Sequence, residues 1–315
     1  MMHLPDGFLA PQLALALWLL TAVIVGIALR RLAASRETTG AAGRPILMGL
    51  VGAFIFAAQM FNFPVAAGTS GHLLGGVLAG YLLGPWAGTI VMTTVIGVQA
   101  LLFQDGGLLA LGANIFNMGI IGTLGGTLIA RALALTLGDG RSARIGAAGV
   151  AGWLSVMAGA GVTTLQLGLS GTTDISVGLP AMLSVHALIG VGEGLITVAA
   201  LTFIATTAPD LLGESAPSPT SLTRRVAAGT GATISVISLA ALFASTNPDG
   251  LNSVAQALGF SHGTSGAGFN LFAGYSIPGL SGTASTIVAA LIGAVAIAGL
   301  LFGLSRLAAS RTRGK

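Results

Sequence analysis

The chain has 315 residues, of which 54% are hydrophobic and only 7% are charged, and its formal net charge is +4. A soluble globular protein carries far more charge on its surface, so that class is excluded. Cysteine is absent, which also excludes disulfides and thiolate metal sites. The composition predicts an all-α polytopic membrane protein surrounded by lipid.

Long apolar segments predict nine membrane spans, because about 20 apolar residues cross a bilayer as a helix. The third segment is too short to cross unaided, and we expect it to be tilted or preceded by a re-entrant segment around residues 64–71. The predicted spans are residues 8–29, 45–61, 72–84, 86–103, 108–130, 145–168, 179–207, 226–244 and 284–304.

The basic residues predict the orientation of these spans. If the amino terminus is outside, all 13 Lys and Arg residues fall in cytoplasmic segments, as the positive-inside rule requires. The carboxyl terminus is then cytoplasmic. The first Arg follows the first apolar core, so we expect an uncleaved anchor and not a cleaved signal peptide. Because the orientation of the spans accounts for the basic residues, the net positive charge does not indicate a nucleic-acid partner.

A change in composition divides the chain into parts. Residues 208–225 are rich in Pro and Ser and contain charges, which predicts a cytoplasmic linker. Residues 1–207 before it form a predicted seven-helix domain. Residues 226–315 after it form a predicted two-helix module, in which an external loop at 245–283 joins the helices.

The four histidines lie toward one predicted membrane face. His3, His72 and His262 are predicted to be external, and His186 lies in the outer half of the seventh span. A single histidine is usually a hydrogen-bonded structural residue. Several histidines near one face favour the handling of metal ions or protons.

The amino terminus, MMHLPDGF, has chelating chemistry of its own. A terminal amine, backbone amides and an imidazole can surround one ion with nitrogen atoms, and this set suits square-planar Ni(II) or Cu(II). If Met1 is the first residue, the terminus and His3 supply four nitrogens. If Met2 is the first residue, they supply three, and His72 is the candidate for the fourth. The sequence leaves both starts open.

The segment FNFPVAAGTSGHLLGG (61–76) is predicted to form an irregular external loop, because Pro and Gly interrupt it. Thr69 and Ser70 place hydroxyls shortly before His72, at the entrance of the third span. Irregular backbone at membrane depth is tolerated where it is buried in protein or lines a cavity. The alternative is an ordinary loop with a helix-capping Ser.

A further external turn is predicted in FQDGGLLALGANIFNMG (103–119), where Gln104 and Asp105 precede two glycines. Asn114 and Asn117 follow three residues apart, so they are predicted to share a face of the fifth span. In lipid these amides need partners. They are candidates for ion translocation, or they join neighbouring helices.

The seventh span contains HALIGVGEGLIT (186–197), in which His186 and Glu193 lie two turns apart on one predicted face. Glu193 is the only acid placed deep in a span, which makes it a functional candidate. A buried hydrogen bond to a neighbouring helix is the alternative role.

These segments together resemble one family: the substrate-binding membrane component of cobalt/nickel energy-coupling-factor (ECF) transporters, of the CbiM/NikM type. The tail resembles the small CbiN/NikN-type subunit of such systems. Asn252 departs from the acidic residue expected after PDGL, which puts the role of that position in doubt. The matching stretches are MHLPDGFL (2–9), FNFPVAAGTSGHLLGG (61–76), FQDGGLLALGANIFNMG (103–119), HALIGVGEGLIT (186–197), NPDGL (247–251) and YSIPGLSGTAST (275–286).

The resemblance implies a metal site and partner subunits. The ion would be held by the amine of Met2, the amide and imidazole of His3, and the imidazole of His72; the additional Met1 departs from the family pattern. The loop residues expected around this site are Asp6, Asn62, Thr69, Ser70, Gln104 and Asp105. The implied partners are a transmembrane coupling subunit and two ATPase subunits, since the chain has no Walker motif and its only Lys is residue 315.

The sequence therefore predicts a non-enzymatic component of a prokaryotic cell membrane that captures Ni²⁺ or Co²⁺ outside the cell for ATP-driven uptake. The nitrogen-only ligand set favours nickel. An alternative from another class is a proton-coupled secondary transporter that uses His186 and Glu193. A membrane-embedded metalloenzyme is a weaker alternative, because no HExxH-type spacing supports it.

Overall fold

The structure is a computed structural model that describes residues 3–34, 44–66, 68–138, 140–213, 220–261 and 271–310. These parts are mainly helical, as expected where lipid cannot satisfy backbone hydrogen bonds. Helices α1 to α10 comprise Pro11–Ala34, Arg44–Met60, Gly76–Leu83, Pro85–Phe103, Leu111–Leu137, Arg141–Leu169, Ile175–Thr207, Leu222–Phe243, Gly250–Ala257 and Gly282–Ser310. Strands β1 (Phe63–Pro64) and β2 (Ser70–Gly71) pair antiparallel.

Seven helices in the described parts of the chain are long and apolar enough to cross a membrane: α1, α4, α5, α6, α7, α8 and α10. Helix α2 is apolar but shorter. Large apolar side chains point outward from the bundle, such as Leu19 on α1 and Val295 on α10, as lipid contact requires. The predicted class of polytopic helical membrane protein is confirmed, while the sidedness of the spans stays a prediction.

The predicted third span at 72–84 differs from the helix that forms there. Helix α3 has only eight residues, Gly76–Leu83, which is about 12 Å of helix and too short for a bilayer. It begins late because Gly75 has a left-handed backbone with φ of 79°. The residues before it form the β1–β2 hairpin and a loop, so this irregular stretch includes the segment expected to be re-entrant.

Helix α5 contains a π-helical stretch, Ile115–Gly125, between two α-helical ends. Helix α3 packs closely against it: a Cβ added to Gly76 would lie 2.7 Å from the Cα of Gly122. Asn114, directly before this stretch, and Asn117, within it, contact different partners, Leu4 and Gln166.

The carboxyl-terminal helices pack on the amino-terminal ones through α2. A Cβ on Gly49 would lie 3.3 Å from the backbone of Ala298 on α10, and one on Gly52 would overlap Leu301. Helix α8 also lies beside α2. The tail also reaches residues 3–9, where the ring centroids of Phe8 and Phe260 lie 5.7 Å apart.

Candidate metal site

The amino-terminal segment is held against the turn before α5. Asn114 forms a reciprocal pair with the backbone of Leu4, in which Leu4 N–H donates to Oδ1 at 2.7 Å and Nδ2 donates to the Leu4 carbonyl at 3.0 Å. The Asp6 carboxylate accepts three consecutive backbone N–H groups, those of residues 108–110, at 3.1, 2.8 and 3.1 Å. These bonds fix the position of His3.

The two glycines of the Asp-Gly-Gly turn allow this close approach. A Cβ on Gly107 would lie 2.0 Å from Oδ1 of Asp6, so a larger residue cannot fit there unless Asp6 moves. Gly106 has φ of 98°, in the region that favours glycine. The turn brings Asp105 to the side chain of His3.

His3 is buried and bonded to Asp105. The distance between His3 Nδ1 and Asp105 Oδ1 is 2.8 Å. Burial raises the pKa of Asp105, but the charge of His3 and hydrogen bonds from His3 and Tyr275 outweigh burial and lower the pKa to about 2. The carboxylate is therefore ionised, and Nδ1–H donates to it. In a neutral ring with this tautomer, the lone pair lies on Nε2.

His72 lies beside His3. Its ring centroid is 6.2 Å from that of His3, and the ring planes differ by 27°. Its Nδ1–H donates to the carbonyl of Leu73 at 2.6 Å, so the lone pair is on Nε2. Burial, with nearby positive charge adding, lowers the pKa of His72 to about 3. A neutral imidazole is the form that binds metal ions.

The loop that carries His72 is anchored by two buried side chains. Glu193 on α7 accepts the backbone N–H groups of Leu74 and Gly75, the latter at 3.0 Å. Gln59 on α2 donates to the carbonyl of Leu74 at 2.7 Å. Glu193 thus acts on the position of His72 through the backbone.

His186 lies seven residues before Glu193 on α7, with Nδ1 bonded to the carbonyl of Met182 at 2.8 Å. Its hydrogen bond and those of Glu193 go to different backbone groups. Together with His72 and Asp249, His186 lines a small cavity of about 10 Å³, which is space for one water molecule.

Asn117 joins two helices. It exchanges amide hydrogen bonds with Gln166 on α6, at 2.7 and 2.8 Å, and donates to Thr163 at 3.0 Å. A reciprocal amide pair of this kind fixes the contact between α5 and α6. Of the two roles proposed from the sequence, the observed geometry corresponds to the joining of helices.

Thr69 and Ser70 face the tail. Ser70 donates its N–H to the Pro248 carbonyl at 2.9 Å and its hydroxyl to the Asn247 carbonyl at 2.8 Å. Thr69 shares a hydrogen bond with Ser253 at 2.9 Å. These bonds hold the 68–72 loop against the tail, and the place of the two hydroxyls around the ion stays a prediction.

Asn252 has a local role in this tail segment. Asp249 caps α9 by accepting the N–H of Asn252 at 2.9 Å, and the Asn252 side chain donates to the second carboxylate oxygen at 2.9 Å. The amide thus supports the cap at the position where the resemblance leads one to expect an acid.

Asn62 and Gln104 line an open cavity of about 280 Å³ between the two halves of the chain. The carbonyl of Asn62 also accepts the N–H of Ser245 at 2.7 Å. Asp105 and Asp249 line the same cavity, so it joins the tail to the His3 side of the site.

Three contributors escaped the sequence analysis: Gln59, Gln99 and Tyr275. Tyr275 donates its hydroxyl to Asp105 Oδ2 at 2.5 Å, and Gln99 donates to the same hydroxyl at 3.4 Å. Tyr275 is the first residue of the stretch YSIPGLSGTAST, and the match of this stretch to the family was the sequence signal that could have pointed to it. Buried glutamines within apolar spans were the signal for the other two.

The expected donors Met1 and Met2 fall outside the described residues, and so does His262. Within the ranges that are described, no group of three or more His, Cys, Asp or Glu could hold a metal ion. The two imidazoles of His3 and His72 therefore need further donors to complete a site.

The sequence matches known families over nearly its whole length. Residues 3–211 match CbiM, the cobalt uptake substrate-specific transmembrane region. The chain belongs to this family. Residues 223–310 match the PDGLE domain. The resemblance to a CbiM/NikM component with a CbiN/NikN-like tail is therefore confirmed.

The relatives of this CbiM-family chain are named as metal transport proteins. One from Archaeoglobus fulgidus, assigned by name as a fused nickel transport protein NikMN, is 37% identical over 98% of this chain and 99% of its own. The fused nickel transport protein NikMN of Rhodobacter capsulatus is 30% identical over 78% of this chain and 74% of its own. The cobalt transport protein CbiM of Chlorobium limicola is 31% identical over 68% of this chain and 85% of its own.

A solved structure shares the fold of about two-thirds of the chain. The crystal structure of a truncated transition metal transporter is 30% identical, with a TM-score of 0.56, and covers 65% of this chain and 98% of its own. With the family match and the apolar helices, this makes the chain a multi-pass protein of a prokaryotic cell membrane.

Proposed function

We propose that this CbiM-family chain captures Ni²⁺, or alternatively Co²⁺, between His3 and His72 at the external face of the cell membrane. The observation that carries the proposal is the pairing of these two imidazoles on segments that are distant in sequence. Their ring centroids lie 6.2 Å apart. An ion about 2.0 Å from one nitrogen of each ring would lie between them. Uptake would then deliver it to the cytoplasm.

Main-chain nitrogens complete the proposed ligand set. With Met2 as the first residue of the mature protein, its amine lies one residue from His3 and can join the two imidazoles. Nitrogen donors of this kind suit Ni(II), which supports nickel over cobalt. Intact mass of the purified protein tests the first residue, and elemental analysis tests the metal.

The His3 ring can meet the ion in two orientations. If Nδ1 stays on Asp105, as in the structure, the ion would bind through Nε2, which is the common carboxylate–histidine–metal arrangement. A chelate ring that includes the His3 amide closes through Nδ1, so the imidazole must then leave Asp105. The amide-bound form of Ni(II) is square planar and diamagnetic, and magnetic measurement of the loaded protein distinguishes the two.

Energy for uptake comes, in this proposal, from separate subunits. The sequence lacks a Walker motif, and the family match supports a transmembrane coupling subunit and two ATPase subunits as partners. ATP-driven movement of the partners would expose the ion to the cytoplasm. The proposed division of labour assigns metal recognition to the 1–207 domain, with the 208–225 linker and the 226–315 module appended to it.

Calorimetric titration of the purified chain with Ni²⁺ tests the capture site. We expect His72→Ala to abolish high-affinity binding, because it removes one of two imidazole donors. Thermal unfolding of the metal-free variant checks that the fold survives. Unchanged Ni²⁺ binding by a folded His72→Ala protein contradicts the proposal.

The proton-coupled alternative makes a different prediction for liposomes. It requires metal flux through this chain alone when a pH gradient is applied, with His186 and Glu193 carrying protons. The separate backbone partners of these two side chains favour positioning roles instead. Uptake that appears only with ATPase partners and ATP eliminates the alternative.

A further inference from the structure

Tyr275 connects the tail to the His3 side of the site. Its hydroxyl donates to one oxygen of the Asp105 carboxylate, while the other oxygen accepts from His3 Nδ1. Burial, with the charge of Asp105 adding, raises the pKa of Tyr275 well above 10, so the phenol keeps its proton. Both carboxylate oxygens are thus engaged by donors from opposite ends of the chain.

The phenol ring is itself held in place by its neighbours. It stacks on Phe103 with a centroid distance of 4.7 Å and an interplanar angle of 17°. Close by, Phe272 N–H donates to the Leu102 carbonyl at 3.0 Å, which ties the tail loop to the end of α4. Gln99 donates to the hydroxyl oxygen, which directs the O–H toward Asp105.

We propose that Tyr275 is a positioning residue of the metal site, which holds Asp105 against His3 so that the imidazole meets the ion in one fixed orientation. The proposal rests on the proposed function of His3 and His72 as metal donors, in the orientation in which His3 Nδ1 stays on Asp105 and Nε2 binds the ion. A square-planar, diamagnetic Ni(II) form bound through the His3 amide overturns it. Hydrogen bonds to a metal-bound imidazole fix its tautomer and raise its basicity. A residue within the PDGLE match thereby contributes to metal binding by the CbiM part.

The test compares Tyr275→Phe with the wild-type full-length chain by Ni²⁺ titration. Phe retains the ring and its stacking on Phe103 and removes only the hydroxyl. We expect about 10-fold weaker Ni²⁺ binding, which is the lower end of the range for such outer contacts. Tyr81→Phe is the matched control, since the chain has only these two tyrosines, and its affinity should equal that of wild type.

A double-mutant cycle shows whether Tyr275 acts through Asp105. In an Asp105→Ala background the hydroxyl has lost its acceptor, so Tyr275→Phe should cause no further loss of affinity. A merely structural effect would persist there. The proposal is overturned if Tyr275→Phe binds Ni²⁺ as tightly as wild type or more tightly, or if its effect is the same in both backgrounds.

The same series separates this inference from the proposed function. If His72→Ala abolishes binding but Tyr275→Phe does not weaken it, only the role of Tyr275 falls. If His72→Ala binds as wild type, the capture site itself is wrong. Unfolding temperatures of the metal-free variants establish that each change in affinity belongs to a folded protein.

Discussion

Asp6 illustrates how a single residue places the amino terminus. A carboxylate that accepts three backbone N–H groups is a strong anchor, because charge-assisted hydrogen bonds are about twice as strong as neutral ones. The anchor requires Gly107, whose Cα faces the carboxylate directly. The position of His3 therefore depends on a glycine that binds no metal.

Gly107→Ala should displace Asp6 and weaken both the fold and metal binding. The added methyl group would overlap Asp6 Oδ1, and overpacking of this kind costs about 1–3 kcal/mol. Thermal unfolding in detergent and Ni²⁺ titration measure the two effects. Gly140→Ala is the control, because a Cβ at Gly140 meets nothing within 4 Å. Equal behaviour of the two variants would contradict the steric argument.

Glu193 shows a similar indirect role for a carboxyl group that is buried in a helix. Its two oxygens accept two adjacent N–H groups of the loop that carries His72. Glu193→Gln leaves one acceptor and turns an NH₂ group toward a donor, so we expect a loss of about 1–3 kcal/mol in the free energy of unfolding.

Asp174→Asn provides a matched change from carboxyl to amide at the exposed cap of the same helix, where Asn caps as well as Asp. It should leave the unfolding temperature nearly unchanged, whereas Glu193→Gln should lower it and weaken Ni²⁺ binding. If Glu193→Gln keeps wild-type stability and affinity but loses flux driven by a pH gradient, the proton-carrier role is favoured instead.

Among the structural elements, the 68–72 loop and the tail segment 247–253 form one unit. Ser70 donates twice to this segment, and β2 thereby gains a neighbour in the tail. Gly250 makes the contact possible, because a Cβ there would lie 2.7 Å from Ile189 and 2.9 Å from His186. The segment can therefore sit against α7.

Gly250→Ala should loosen this contact. We expect faster amide hydrogen exchange in residues 68–75, because the loop loses its partner in the tail. Gly231→Ala on α8 is the control, since a Cβ at that position has nothing within 4 Å. Exchange in the loop that matches wild type in both variants would show that the tail does not hold it.

Sequence reasoning reached part of this arrangement. Apolar length identified most helices, and the predicted topology placed His3 and His72 on one face as candidates for one site. Asp105 was expected only among the loop residues around that site. It missed the late start of α3, because a left-handed Gly75 is a feature of the folded backbone. It also missed Tyr275, which lies 170 residues from Asp105, since only tertiary packing brings them together.

In the whole molecule, both halves of the chain meet at the end that holds His3 and His72. The tail contributes contacts to both segments of the site. Tyr275 contacts Asp105, and Asn247 and Pro248 contact the 68–72 loop. The proposed external capture of an ion requires this end to face outward. The distribution of the 13 basic residues predicts that orientation.

The absence of native cysteine allows a direct test of sidedness, because a single introduced Cys is the only thiol in the protein. Thr246 is exposed near the site, and Ser142 is exposed at the predicted cytoplasmic start of α6. A membrane-impermeant maleimide added to right-side-out vesicles should label Thr246→Cys directly and Ser142→Cys only after permeabilisation. Labelling in the opposite order would reverse the orientation and place the His3–His72 pair on the cytoplasmic side, where it could not capture external ions.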